Sequence, residues 1–332
     1  MRGTSRARGV RAVCMAAVIA VASLAAGCGG EGSGSGAQSG GGGSLSIATG
    51  GTGGVYAVYG GGLADLVTKQ LEGYRATAET TSASVDNLLL IGRKSSDVAF
   101  SLADTAIDGV EGREAFKEPV PTQALANIYS NYTHVVTLAG KPIESVEDLN
   151  GKTVSVGSPN SGTEVIAVRI LEAAGLDPSK DIKRTQLGVE ESVTALRDGS
   201  IDAFFWSGGL PTGSITDLAT TDDMRLLPTT EYAPELNEKY GEAYEESSVE
   251  PGVYKGVDDA VDTIAVPNYL MVNEAMDEEL AYQMTKLLYD QKEQLVKVHP
   301  EAEKLDPARG REIVSPVELH PGAQRYYDEA GK

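Results

Sequence analysis

Four short segments carry residue types that hold small polar molecules. The first is Thr49-Gly50-Gly51-Thr52-Gly53-Gly54-Val55-Tyr56, between a strand-like run and a helix-like run. Glycine lets the main chain approach a ligand closely. The first N–H groups of a helix have no internal acceptor and favour an anion. Gly53, at the centre of this loop, is a candidate ligand contact through its main chain. A tight turn under a closely packed helix would use the same glycines. The loop does not end in Gly-Lys-Ser/Thr, and Tyr56 stands where a G-x-G-x-x-G match from Gly51 needs its last glycine. Nothing here calls for a nucleotide cofactor.

The second segment, Thr80 to Asn87, again joins a strand to a helix, and Ser82 or Ser84 either binds a ligand or caps the helix. In the third, Ser158 to Glu164, the spacing of Ser161 and Glu164 fits a capping box. Gly162 and Thr163 place small groups at the same helix start. The fourth is Phe204-Phe205-Trp206-Ser207-Gly208-Gly209, where the sole Trp is either core or the wall of a cleft beside Ser207.

The elements that position these segments follow from hydrophobic pattern. Leu45–Thr49, Ala76–Thr80 and Asp97–Leu102 read as strands, separated by helices over Val55–Leu71 and Val85–Lys94. That alternation predicts a parallel sheet with crossover helices. It restarts with a strand over Ala124–Leu138, strands at Lys152–Val156, Arg184–Leu187, Ile201–Trp206 and Arg225–Pro228, and helices over Glu164–Ala174 and Glu191–Asp198. A returning apolar run, Asp262–Val272, precedes a helix through Glu278–His299 and another over Arg325–Ala330. The expectation is an α/β protein of two lobes, residues 45–135 with 263–332 and an inserted lobe 136–262, with strand-to-helix edges from both meeting at one crevice, where open α/β sheets bind ligands.

The chain opens with a basic stretch containing Arg2, Arg6, Arg8 and Arg11, then the apolar run Val13–Ala26. Such a run is too short to span a bilayer and has the length of an export-signal core. It ends in Leu24-Ala25-Ala26-Gly27-Cys28, which resembles a lipobox with Cys28 as the lipidated residue. Residues 1–28 are thus expected to be a lipoprotein signal that places the protein on the outer face of the cell membrane. Residues 29–44, nearly all Gly and Ser, are expected to be a flexible tether. Both cysteines, Cys14 and Cys28, lie in the signal, so the remainder has no disulfide or Cys-based metal site. Without the four Arg of the signal, 24 basic residues face 48 acidic ones. That balance argues against nucleic acid as a partner, while screening leaves room for local dipoles to bind a small anion.

Taken in order, the loop Thr49–Tyr56, Ser84-Val85-Asp86-Asn87-Leu88, Asp148–Gly157, Ser161-Gly162-Thr163-Glu164, Gly208-Gly209-Leu210-Pro211 and His320–Tyr327 resemble the TAXI-type solute receptors of tripartite ATP-independent periplasmic (TRAP) transporters. The resemblance covers roughly residues 45–332. It implies a type II periplasmic-binding-protein fold, hinge closure on a small anionic solute (a glutamate-like amino acid or a dicarboxylate) and delivery to TRAP membrane permease subunits. It points to Thr49, Gly51, Thr52, Tyr56, Ser82, Asn87, Ser161, Gly162 and Thr163 as ligand contacts. Ala57 departs from relatives that carry a second Tyr, which would alter the pocket wall.

Two other functions compete. An exofacial sensor for a membrane kinase would have the same cleft. A secreted hydrolase would show G-x-S-x-G, which is absent. His134, His299 and His320 are isolated, without metal-site spacing. Paired carboxylates of a glycosidase type stay open in so acidic a chain. Arg75, Arg93, Arg169 and Arg184 are available as charge partners, and the acidic stretch Glu231–Glu250 reads as a solvated face or a docking surface.

Overall fold

The computed structural model describes residues 42–331. The expected signal, the lipid site Cys28 and residues 29–41 lie outside the described residues.

The first part of the chain alternates as expected: β1 (Gly43–Ala48), α1 (Val55–Gln70), β2 (Tyr74–Glu79), α2 (Ser84–Gly92), β3 (Val98–Leu102) and α3 (Ala103–Glu111). A long strand, β4 (Thr122–Leu138), leads into β5 (Thr153–Ser155), α4 (Gly162–Ala173), β6 (Lys183–Thr185), α5 (Val189–Arg197), β7 (Ala203–Gly208), α6 (Gly213–Thr221), β8 (Met224–Leu226), α7 (Ala233–Tyr240) and β9 (Glu245–Val249). The chain returns along β10 (Val261–Asn273) and ends with α8 (Glu278–Asp290), α9 (Lys292–Val298), α10 (Pro307–Gly310) and α11 (Pro321–Ala330).

The described strands form a sheet ordered β2-β1-β3-β10-β4-β7-β5-β6, with β8 on β4 and β9 on β10. β1 runs parallel to β2 and β3, and β5 parallel to β6 and β7, each through a crossover helix. β4 joins the two halves. It pairs with β10 from Thr122 to Tyr132 and with β7 from Tyr132 to Thr137, both antiparallel. β4 and β10 are buried along nearly their whole length, as strands covered on both faces must be. Separate hydrophobic clusters form around Leu63, Phe100 and Leu288 and around Phe204, Leu218 and Val193. A third, with Leu102, Ile107, Ile166 and Ile170, spans the junction.

Two expectations are corrected, the tether boundary and the long C-terminal helix, and one helix is added. Strand β1 begins at Gly43, whose N–H bonds Gly73 O, so the last residues assigned to the tether belong to the sheet. α3 starts at the residue after β3, with no turn residue to announce it. The helix read through 278–299 ends at Gln291 (φ −109°, ψ 18°) and restarts as α9, which turns Leu295 into the core. The acidic stretch 231–250 exposes its glutamates, as expected of a solvated face, over the buried Leu236, Tyr240 and Val249, and β9 pairs with β10.

Candidate functional site

Both halves of the sheet turn strand ends toward one cavity of about 170 Å³. From the first half come Gly50, Gly51, Thr52, Gly54, Val55 and Tyr56 of the β1–α1 junction, then Ser82, Ala83 and Ser84 before α2. From the second come Ser158, Ser161, Gly162 and Thr163 at the start of α4, Gly188–Glu191 at the start of α5, and Trp206–Gly208 at the end of β7. Tyr129 and Asn131, on β4 just before it changes partner, complete the lining with Leu102.

The helix starts supply unpaired donors. Ser161 caps α4 by accepting from Glu164 N at 3.1 Å. The reciprocal arm of the capping box goes to Asn160, whose N–H bonds Glu164 Oε2 at 2.7 Å. Gly162 and Thr163 N–H find no acceptor among the described residues, nor do those of Val55 and Tyr56. Each pair points its helix dipole at the cavity. Close packing makes this possible: a Cβ on Gly162 would lie 2.5 Å from Leu102 Cδ1 and 2.7 Å from Ser84 Oγ. The N–H of Asp86 also bonds Asn160 O at 3.3 Å, tying α2 to the loop before α4.

Of the residues singled out from sequence, Gly51, Thr52, Tyr56, Ser82, Ser161, Gly162, Thr163 and Ser207 are brought together on the cavity lining. Thr49, Gly53 and Asn87 are not. Thr49 is buried behind the loop and donates to Glu79 O at 2.7 Å. Asn87 is fully buried, donating to Thr49 O and Phe100 O at 2.7 Å and accepting from Thr81 Oγ1 at 2.6 Å. Its amide pins the loop to β3 rather than touching a solute. Gly53 holds the turn at φ +83°, a conformation that favours glycine. Ala57 is also off the lining, so it does not shape the wall as expected.

Tyr56 packs its ring on Phe100 at 5.0 Å and donates its hydroxyl to Asn268. Burial raises the Tyr56 and Tyr129 phenols well above their ordinary value, so both stay neutral. Trp206 is half-buried, donates Nε1–H to Thr212 Oγ1 at 3.0 Å and faces Gly54. Sequence reasoning missed Tyr129 and Asn131, which sit inside an apolar strand, and Glu190 and Glu191, which read as ordinary helix-start acids. The Asn131 polar group within a buried strand was the available signal.

None of the arginines considered as charge partners reaches the cavity. Arg169 is buried against Asp104 and Asp108, and Arg184 pairs with Glu164. His134, His299 and His320 are likewise elsewhere, the latter two accepting backbone N–H groups at helix starts. Among the described residues, no group of three His, Cys, Asp or Glu could hold a metal ion.

A sheet in two halves, joined by long crossing strands with a cavity between, is the two-lobed periplasmic-binding-protein fold. The chain belongs to the NMT1-like family, whose model matches residues 47–331. Among solved structures it is similar to a Xanthomonas citri protein bound to ATP (TM-score 0.53, 14% identity, covering 86% of this chain and 98% of that one). It is also similar to a protein described as a periplasmic transporter (TM-score 0.50, 13% identity, 86% and 94%). The periplasmic aliphatic sulphonate binding protein SsuA from Escherichia coli aligns at TM-score 0.46 with 15% identity, over 86% and 78%. At these identities the likeness is one of fold.

Proposed function

We propose that this protein is an extracytoplasmic solute-binding receptor that closes its lobes, residues 45–135 with 263–332 and 136–262, on a small carboxylate-bearing solute. It hands the solute to TRAP membrane permease subunits and is held at the membrane by lipid on Cys28. The observation that carries this reading is the convergence of helix-start N–H groups without an acceptor among the described residues, at Val55–Tyr56 and Gly162–Thr163 of the two halves, on one cavity. Preorganised amides of this kind bind a carboxylate through charge-assisted hydrogen bonds. The cavity carboxylates Glu190 and Glu191 come from one wall, whereas paired-carboxylate hydrolysis needs two that flank the scissile bond. Mass spectrometry of small molecules released from the purified protein, followed by calorimetry with the compound found, tests the proposal. A bound carboxylate released unchanged after prolonged incubation is expected. A turned-over product, or no affinity for any carboxylate, would defeat it.

A further inference from the structure

The charges that face the cavity are of one sign. Among its lining residues Glu190 and Glu191 are the charged ones, and no Lys, Arg or His joins them. Both are exposed at the start of α5 and have no ion-pair partner among the described residues. Glu191 folds back over Gly188, whose added Cβ would lie 2.5 Å from Glu191 Oε2. Glu190 instead reaches over to the glycine loop of the other half, where a Cβ on Gly53 would lie 2.6 Å from Glu190 Oε1.

A second observation is independent of these acids. Asn131 is 5% exposed, and its Nδ2 donates to Ser207 O at 3.2 Å. That bond orients the amide and leaves Oδ1 buried without a partner among the described residues. An amide oxygen only accepts, so a solute group meeting it must donate. The Tyr129 hydroxyl and Ser207 Oγ, on the same lining, are also buried without a partner among the described residues, and each is able to donate or accept. The cavity thus combines a donor set, the helix-start amides, with an acceptor set, Asn131 Oδ1 and the Glu190 and Glu191 carboxylates.

We infer that Glu190 is the specificity-determining residue of this cavity, selecting solutes that carry a protonated nitrogen beside their carboxylate and rejecting plain dicarboxylates. The inference rests on the reading of the cavity as a solute site. A second carboxylate would meet the like charge of Glu190 and Glu191 and, at Asn131 Oδ1, an acceptor to which it has nothing to donate. An ammonium meets an opposite charge and satisfies an orphaned oxygen. Selection here comes as much from repulsion of the wrong solute as from attraction of the right one.

Calorimetry on the purified protein tests this with the standard amino acids, the des-amino acid of the tightest binder, succinate and glutarate. The amino acid is expected to bind at least ~100-fold more tightly than its des-amino counterpart, because a site built to bond an N–H rejects the analogue without it. Glu190→Gln is expected to shrink that ratio at least ~10-fold by weakening the amine-bearing solute alone, with the thermal midpoint unchanged because the side chain is exposed and unpaired. Equal affinity for the two, or a ratio unaltered in Glu190→Gln, overturns the inference. So does a dicarboxylate that binds only with added Ca²⁺, since the carboxylates would then hold a metal. Binding of des-amino acids alone removes the role of Glu190 and leaves the receptor reading standing; no binding of any acid in the panel removes both.

Discussion

Arg169 Nη2 lies 2.5 Å from Asp108 Oδ2, with the two side chains 4% and 1% exposed. Asp108 belongs to α3 of the first half and Arg169 to α4 of the second, six residues after the Thr163 that lines the cavity. Around the guanidinium, Tyr244 OH accepts from Nη1 at 2.7 Å and donates to Asp104 Oδ2 at 3.0 Å. The Tyr240 ring lies 3.8 Å from the guanidinium carbon. Arg113 Nε donates to the other Asp108 oxygen at 2.7 Å. Burial pushes Asp108 up to about 6, against the pull of Arg169, so it is ionised at neutral pH. The cluster fixes α4 against the first half and thereby aims its N-terminus at the cavity.

Replacing Arg169 with Met leaves Asp104 and Asp108 buried without their shared cation. A cost of about 3–5 kcal/mol at pH 7.5 is expected, as for other buried pairs broken on one side. The penalty should shrink at pH 5, where a protonated Asp108 no longer needs a second cation beside Arg113. Urea unfolding at the two pH values measures both. A loss under ~1 kcal/mol would mean that water already reaches the cluster.

His134 gives a second pH effect of opposite sense. It is buried, with Nδ1 3.0 Å from Tyr132 O and Nε2 3.0 Å from Tyr254 OH. Tyr132 O only accepts, which assigns the proton to Nδ1 and makes Nε2 the acceptor. Burial lowers its pKa from 6.5 to about 4. The folded protein therefore resists protonation that the unfolded chain accepts. This contribution is fully present above 6.5 and is lost as pH falls toward 4, a loss on the order of 3 kcal/mol. Relative to His134→Gln, the parent should lose that amount between pH 7.5 and 4. A difference between the two that does not change with pH would contradict a neutral buried imidazole.

Gly162→Ala tests the close approach of the halves. The added Cβ must displace Leu102 or Ser84, and overpacking of this kind costs about 1–3 kcal/mol. Moving α4 away from α2 relieves it. Solute affinity should fall at least ~10-fold, and small-angle scattering should report a larger radius of gyration in the presence of solute. Unchanged affinity would place the solute away from the start of α4.

Trp206 is the sole Trp of the chain and forms part of the cavity wall. Its fluorescence should change on solute binding without background from other indoles. A dissociation constant obtained from that signal should match the calorimetric one. A solute that binds with no change in Trp206 emission would bind elsewhere.

The alternation of strands and helices was legible because its signals are local. Gly-rich and Ser-rich segments between apolar runs mark strand-to-helix junctions, and Ser161 with Glu164 announced the start of α4. α3 was illegible for the same reason: it follows β3 without a Gly, Pro or helix cap between them, so no local residue marks the change.

Residue types alone determined that this chain builds α/β junctions rich in free amides, because turn chemistry and capping act within a few positions. Only the tertiary structure decided which faces of those junctions look into the cavity. Thr49 and Thr52 belong to one loop, yet the first is tied to Glu79 O and the second lines the space. Asn131 and Ser207 stand 76 residues apart and meet because β4 switches from β10 to β7 at Tyr132. Glu190 reaches the loop at Gly53 through that same junction. Strand register and the packing of distant helices set these meetings, and neither is written in any short stretch of residues.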